Sequence, residues 1–216
     1  MLTINCPEKV EDNFMCARFV ILDDAEIAEI NQILKDVNMK FDGTGIVAKT
    51  GEIFPTDNVP IVASNNGKTV LTIMKWGFPK WDKSGVIVNA KSETAAEKKM
   101  FATAIASRRI VVPSNGFYEW TRSEDEPKIK YKFNSPDSPM LYMAGLYTDY
   151  KSVNSDERLT KRFTILTRSA NSDVSDIHNR MPVVLHKDEI VRWLRDYEYA
   201  KAIMSRESVS LIREAV

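Results

Sequence analysis

Val59-Pro60-Ile61-Val62-Ala63-Ser64-Asn65-Asn66-Gly67-Lys68-Thr69-Val70-Leu71-Thr72-Ile73-Met74 holds two apolar, β-branched runs separated by Asn-Asn-Gly. Asn and Gly tolerate the positive φ that a tight hairpin demands, so 59–62 and 70–74 are predicted to be neighbouring antiparallel strands. Outward from this hairpin, strand character recurs at 16–22, 87–90, 109–113, 129–133, 141–147, 162–167 and 178–185. Residues 116–120 read as continuing the sheet that 109–113 starts. Helical periodicity appears in a segment capped by Asp23 or Asp24 and running to about 37, with Ile27, Ile30, Ile33 and Leu34 as its apolar positions. It also appears at 94–106, 188–193 and 198–204, and 171–177 reads as the start of a helical turn. Residues 41–60 are broken by Gly43, Gly45, Gly51, Pro55 and Pro60 and read as loop, 76–81 as an irregular aromatic segment, and 151–159 as a polar loop. Strands outnumber helices and short turns often join them, which predicts an α+β fold with a largely antiparallel sheet.

The chain has 216 residues, which suits one domain with a sizeable core. Hydrophobic residues make up 44%, which argues against disorder. No apolar run approaches the ~18 residues needed to span a membrane. Residues 1–14 are polar and acidic without an apolar stretch, unlike a secretory signal, so a cytoplasmic protein is expected. Thirty basic and thirty acidic residues cancel, so net charge gives no support to wholesale nucleic-acid binding, while a local basic face stays open. The two cysteines, Cys6 and Cys16, and two histidines, His178 and His186, have the wrong spacing for familiar zinc sites, so no metal and no cofactor are expected.

Asn115-Gly116-Phe117-Tyr118-Glu119-Trp120 places one carboxylate in an aromatic run. If Glu119 points inward, burial raises its pKa and suits it to proton transfer; if it points outward, it is an ordinary edge-strand acid. Three other segments carry chemistry: Met15-Cys16-Ala17-Arg18-Phe19, Asn89-Ala90-Lys91-Ser92-Glu93-Thr94 and Ile177-His178-Asn179-Arg180-Met181-Pro182-Val183. Together they offer a thiol, an amide, an acid, an imidazole and several cations.

These four motifs, in this order, resemble the SOS-response-associated peptidase (SRAP) family of abasic-site-processing proteins, from Met15 to about Trp193. Trp76-Gly77, Pro79 and Trp81, and Thr167 with Ala170-Asn171, also fit the pattern. The resemblance implies a sheet curled into a pseudo-barrel with peripheral helices. It implies a DNA-damage protein that binds single-stranded DNA and crosslinks abasic sites through an N-terminal cysteine as a thiazolidine, with possible autoproteolytic and lyase activity. Carried over by position, Cys16 is the nucleophile, Asn89 orients the adduct and Glu119 shuttles protons. His178 protonates the opening sugar oxygen or holds the 3′-side phosphate. Arg18, Arg168 and Arg180 are phosphate contacts, and Trp76 and Trp81 stack on bases or wall the site. Lys91 stands where the family usually has arginine and lacks its bidentate fork, and Ala17 replaces the usual glycine. The partner is single-stranded DNA containing abasic sites, not a membrane or a metal. A monomer is favoured, cytoplasmic and nucleoid-associated when DNA is damaged.

Each residue has a second reading. Trp76 and Trp81 serve equally well as core or loop staples, Arg180 as the partner of an acid, His178 as a core histidine and Asn89 as a turn residue. Glu93 is read as a charge at a helix N-terminus, and Cys6 and His186 as incidental. Residues 1–15 are expected to be an extension, from a mis-assigned start or as a propeptide, ahead of a single domain at 16–216. An acylated Cys16 nitrogen cannot form an imine, so translation starts at Met15, or the chain removes 1–15 itself, or this member lacks the chemistry. The first is favoured, because Val10-Glu11-Asp12 can be encoded with a GGAGG ribosome-binding sequence. Two further functions stay open: a conventional cysteine peptidase using Cys16, His178 and Glu119, and a non-catalytic single-stranded-DNA-binding module.

Overall fold

The computed structural model describes residues 17–22, 27–81, 84–121, 127–151 and 159–216. Cys6, Met15, Cys16 and the expected caps Asp23 and Asp24 lie outside the described residues.

In chain order, β1 (Phe19–Ile21) is followed by α1 (Ala28–Lys40), β2 (Gly51–Ile53), β3 (Asn58–Asn65) and β4 (Lys68–Trp76). Then come β5 (Phe78–Pro79), β6 (Val86–Ile87), β7 (Asn89–Lys91), α2 (Lys99–Ser107), β8 (Arg109–Ser114), β9 (Phe117–Trp120) and β10 (Lys130–Asn134). The long strands β11 (Leu141–Lys151) and β12 (Leu159–Ser169) precede the short β13 (Arg180–Pro182) and β14 (Val184–Leu185). A 3-10 turn (Lys187–Glu189), α3 (Ile190–Arg195), α4 (Tyr197–Ser205) and β15 (Ile212–Ala215) complete the chain.

The β3–β4 hairpin forms with Asn65 opposite Lys68. Its two turn residues, Asn66 and Gly67, have φ of 48° and 73°, the left-handed pair that matches the twist of a two-residue hairpin. From the hairpin the sheet grows through β8 and β11 to β12, and β12 pairs back in parallel with β4. These five strands therefore close into a barrel. Parallel β7 and antiparallel β13 attach to β12, and β14 attaches to β11. A second, antiparallel sheet runs β15-β10-β9-β1-β2. The expected α+β pseudo-barrel with peripheral helices is the observed architecture.

The two sheets meet at aromatic side chains. Phe19 of β1 packs on Trp76 of β4 with ring centroids 4.9 Å apart, and Trp76 stacks over Phe163 of β12. Phe117 of β9 stacks on Phe133 of β10 at 5.1 Å. Helix α1 buries Ile30, Ile33, Leu34 and Val37, the spacing of one helical face. Buried Arg109 ties two other helices to the barrel: its guanidinium donates to Ile105 O and Ala106 O of α2 and to Trp193 O and Leu194 O of α3. A cation at two helix C-termini satisfies carbonyls that the helices cannot pair themselves.

Several expectations are corrected. Helix α1 starts at Ala28 with Ile27 at its N-cap, so neither Asp23 nor Asp24 is the cap residue. Helix α2 starts at Lys99, because 94–98 are spent in turns. β9 does not continue the sheet of β8; it belongs to the second sheet, and Gly116 between them makes the change of direction. The segment 171–177 forms turns. β2 lies within the stretch read as loop, and β15 answers to no expected element.

Candidate active site

Glu119 points inward: its strand has burial alternating from Phe117, and the glutamate is 4% exposed. The preceding Gly116 has φ of 138°, and a Cβ there would lie 2.6 Å from both Phe133 O and Asn134 Oδ1, so only glycine fits. β1 runs beside β9, with Phe19 opposite Phe117, and Tyr118 N donates to Arg18 O at 2.9 Å. Continuing that register by two residues sets Ala17, half-buried against the core, opposite Glu119. Ala17 is the residue bonded to Cys16.

On the outer face of the same sheet, Glu52 holds Arg18 at 2.8 Å and Lys130 at 3.0 Å. Burial works to raise the Glu52 pKa, but these two cations outweigh it and hold the carboxyl below its usual range. Arg18 also lies over the Phe54 ring at 3.9 Å and nearer the Trp120 ring than 6 Å, at 5.5 Å, while Lys130 covers Tyr118 at 3.8 Å. The sequence gives a site role to Arg18 but none to Phe54, Trp120 or Lys130; these gather only through strand pairing.

The remaining candidates cluster around β12. Asn89 stands on β7 opposite Ile165, and exposed Lys91 opposite Thr167. On the other side of β12, Arg180 of β13 lies opposite Ser169 and Met181 opposite Arg168. His178 sits at the entry to β13. The main chain of Arg180 presents both partners to its Nδ1, the amide at 3.1 Å and the carbonyl at 3.2 Å. The ring is thus oriented whether Nδ1 accepts or donates. Arg168 is half-buried, and its pKa is lowered chiefly by burial, with Glu93 opposing and Arg206 and Arg180 adding to the shift.

Three assignments are corrected. Arg180 does not offer an open guanidinium to phosphate: it is 8% exposed and both terminal nitrogens are held by Glu93. Glu93 is accordingly not a helix N-terminal charge. Its carboxylate also accepts the Ser169 amide, and the Arg180 contact above all pulls its pKa down to about 2. Trp76 is fully buried and has no face for a base; its Nε1 donates to Val88 O at 3.1 Å, one residue before Asn89. Trp76 thus links Phe19 of β1 to the residue before Asn89. Trp81 is the opposite case, 98% exposed.

The arrangement is an α+β barrel with a flanking sheet that buries one acid beside the strand following a cysteine, with an amide, an imidazole and cations along a barrel strand. The chain belongs to the SOS response associated peptidase (SRAP) family, whose model matches residues 15–213. Among its relatives, the abasic site processing protein YoqW of Bacillus subtilis (strain 168) is 28% identical over 200 residues, covering 88% of this chain and 86% of that protein. The abasic site processing protein HMCES of Xenopus tropicalis is 31% identical over 174 residues, 65% of this chain and 52% of that one. A solved structure of a Bacteroides thetaiotaomicron protein shares the fold with a TM-score of 0.73 at 22% identity, covering 93% of this chain and 92% of that one. Among the described residues, no helix is long and apolar enough to cross a membrane.

Proposed function

We propose that this chain binds single-stranded DNA and captures abasic sites covalently through Cys16, with the mature chain beginning at that residue. The observation that carries the reading is Glu119, a buried carboxylate beside the strand that follows Cys16. The names of the relatives, abasic site processing proteins, supply the substrate class.

The chemistry balances with these groups alone. A free α-amine has a reference pKa of ~8, so part of it is nucleophilic near neutrality. It adds to the ring-opened aldehyde, and water leaves as the imine forms. The thiol then adds to the same carbon, its proton passing to nitrogen, and the thiazolidine closes. Glu119 gives the proton to the departing hydroxyl and takes one back in reversal. His178 serves the sugar oxygen or the 3′-side phosphate, and Asn89 orients the adduct. Lys91, Arg168 and Arg18 meet phosphates, and Trp81 stacks on a base. Arg180 acts through Glu93 by holding this wall together. The peptidase of the family's description corresponds, in a chain translated from Met1, to hydrolysis of the Met15–Cys16 bond. Lyase activity corresponds to elimination of the 3′-phosphate from the imine before sulfur closes the ring. The protein acts in the cytoplasm, where reducing conditions keep Cys16 a thiol.

The test is incubation with abasic single-stranded DNA, boiling and denaturing electrophoresis, beside intact mass of the protein. A heat-stable adduct is expected from chains that begin at Cys16. Cys16→Ser leaves at most a labile imine; a heat-stable adduct from that variant without reductant overturns the thiazolidine. A chain shown by mass to retain Met1 that crosslinks as well as a Met15-initiated chain overturns the free-amine requirement.

A further inference from the structure

The C-terminal segment touches both halves of the candidate site. On one side, β15 pairs with β10, which sets Tyr131 between Ala215 and Glu119. On the other side, the same segment holds the turns that lead into His178. Leu211 N donates to Asp173 Oδ2 at 2.9 Å, and Asn171 Nδ2 donates to Val209 O at 3.2 Å. Those turns reach the histidine directly, since His178 N donates to Val174 O.

One side chain spans the gap. Arg213 Nη1 donates to Asp176 Oδ1 at 2.6 Å and to Asp173 O at 3.3 Å, while its guanidinium lies over the Tyr131 ring at 5.3 Å. Asp176 stands two residues before His178, and Tyr131 is the cross-strand neighbour of Glu119. Arg213, Tyr131 and Glu119 share one face of the sheet, because Arg213 pairs with Phe133 and Ala215 with Tyr131. The Arg213–Asp176 pair is substantially exposed, at 35% and 56% of the side chains. An exposed pair adds little to global stability. Its geometry is therefore better matched to setting a distance than to holding the fold.

We infer that Arg213 is a positioning residue that fixes the His178 turns against the strand pair carrying Glu119. The inference rests on the proposed reaction at that site. The two groups serve one reaction only if their separation is held, and misplacement of about 1 Å can cost as much as ~10²-fold in rate. Planar Arg213 supplies both the ion pair and the ring contact; lysine would keep the first and lose the fork.

The experiment measures adduct formation against abasic single-stranded DNA concentration for wild type, Arg213→Ala, Arg213→Lys, Asp176→Asn and the Arg213→Ala/Asp176→Asn double variant, with urea midpoints for each. The maximal rate should fall on the order of tenfold in Arg213→Ala. Half-saturating DNA and the urea midpoint should stay near wild type, and Arg213→Lys should recover part of the rate. The double variant should be no slower than the worse single variant, as residues acting through one contact require. A wild-type maximal rate in Arg213→Ala overturns the inference, as does a rate loss that follows the urea midpoint and is not eased by lysine. Wild-type protein that forms no adduct overturns the reading of the site itself, and this role with it.

Discussion

Arg180 lays its two terminal nitrogens on the two carboxylate oxygens of Glu93, at 2.6 and 2.7 Å, although the residues are 87 apart in sequence. The same guanidinium donates to Thr167 O at 2.7 Å, so one bidentate pair clamps β7's exit, β12 and β13 together. Asn89, Lys91 and His178 all hang from this clamp.

Loss of the clamp should be visible against pH. The Glu93 pKa falls from 4.5 to about 2 on folding, so the pair stabilises fully above the unfolded value and fades as pH drops toward about 2. Unfolding free energies of wild type and Glu93→Gln from urea titration should differ by about 1–2 kcal/mol near neutrality, a figure held down by the carboxylate's partial exposure. The gap should close between about pH 5 and pH 2. A gap that stays constant across this range would show that the ion pair contributes nothing.

Glu119→Gln should keep the fold and lose crosslinking rate in both directions by ~10²–10⁴-fold, since the amide retains shape but cannot pass a proton. Time courses of adduct formation and reversal across pH, with circular dichroism as the control, decide it. Wild-type rates in a folded variant would make Glu119 a structural acid.

The two family tryptophans should separate cleanly. Trp76→Ala should destabilise by ~3–5 kcal/mol as a large core truncation. Trp81→Ala should leave the unfolding free energy within ~0.5 kcal/mol of wild type, because its ring touches little. Single-stranded-DNA affinity should fall only for Trp81→Ala, by the ~1–3 kcal/mol of a stacked base. Unchanged affinity in Trp81→Ala would remove it from the DNA path.

Lys91→Ala should weaken binding more at low salt than at high, reducing the slope of log affinity against log salt by ~0.7, one phosphate's worth on a single strand. Its maximal crosslinking rate at saturating DNA should match wild type. A defect that persists at saturation would move Lys91 into the chemical step.

What the sequence made legible follows the range of the interactions. The β3–β4 hairpin was readable because Asn66 and Gly67 encode their own backbone conformation. Helix α1 was readable from its apolar spacing, but its start was not, because it begins after Ile27, which has no capping side chain to mark it. The move of β9 into the second sheet depends on pairing with β1, nearly a hundred residues earlier, and a run of aromatic residues carries no address. Glu93 looked like a helix charge for the same reason: nothing local names Arg180. The sequence left the face of Glu119 open, because a four-residue aromatic run buries either side equally well; the burial of Phe117 and Glu119 on one face decides it. β15, Ile212-Arg213-Glu214-Ala215, has no strand composition and exists through its partner β10.

The contrast between Trp76 and Trp81 makes the molecule its own optical instrument. Four tryptophans emit: Trp76 and Trp193 are sealed from water, Trp81 is 98% exposed, and Trp120 lies between these extremes. Indole emission shifts to the red with solvent polarity, and a soluble quencher reaches only rings at the surface. Iodide should silence the red component and leave a blue remainder from Trp76 at the joint between the two sheets and Trp193 at the seat of α3 on β8. Unfolding can then be followed in one part of the spectrum and strand binding in another, without attaching any dye.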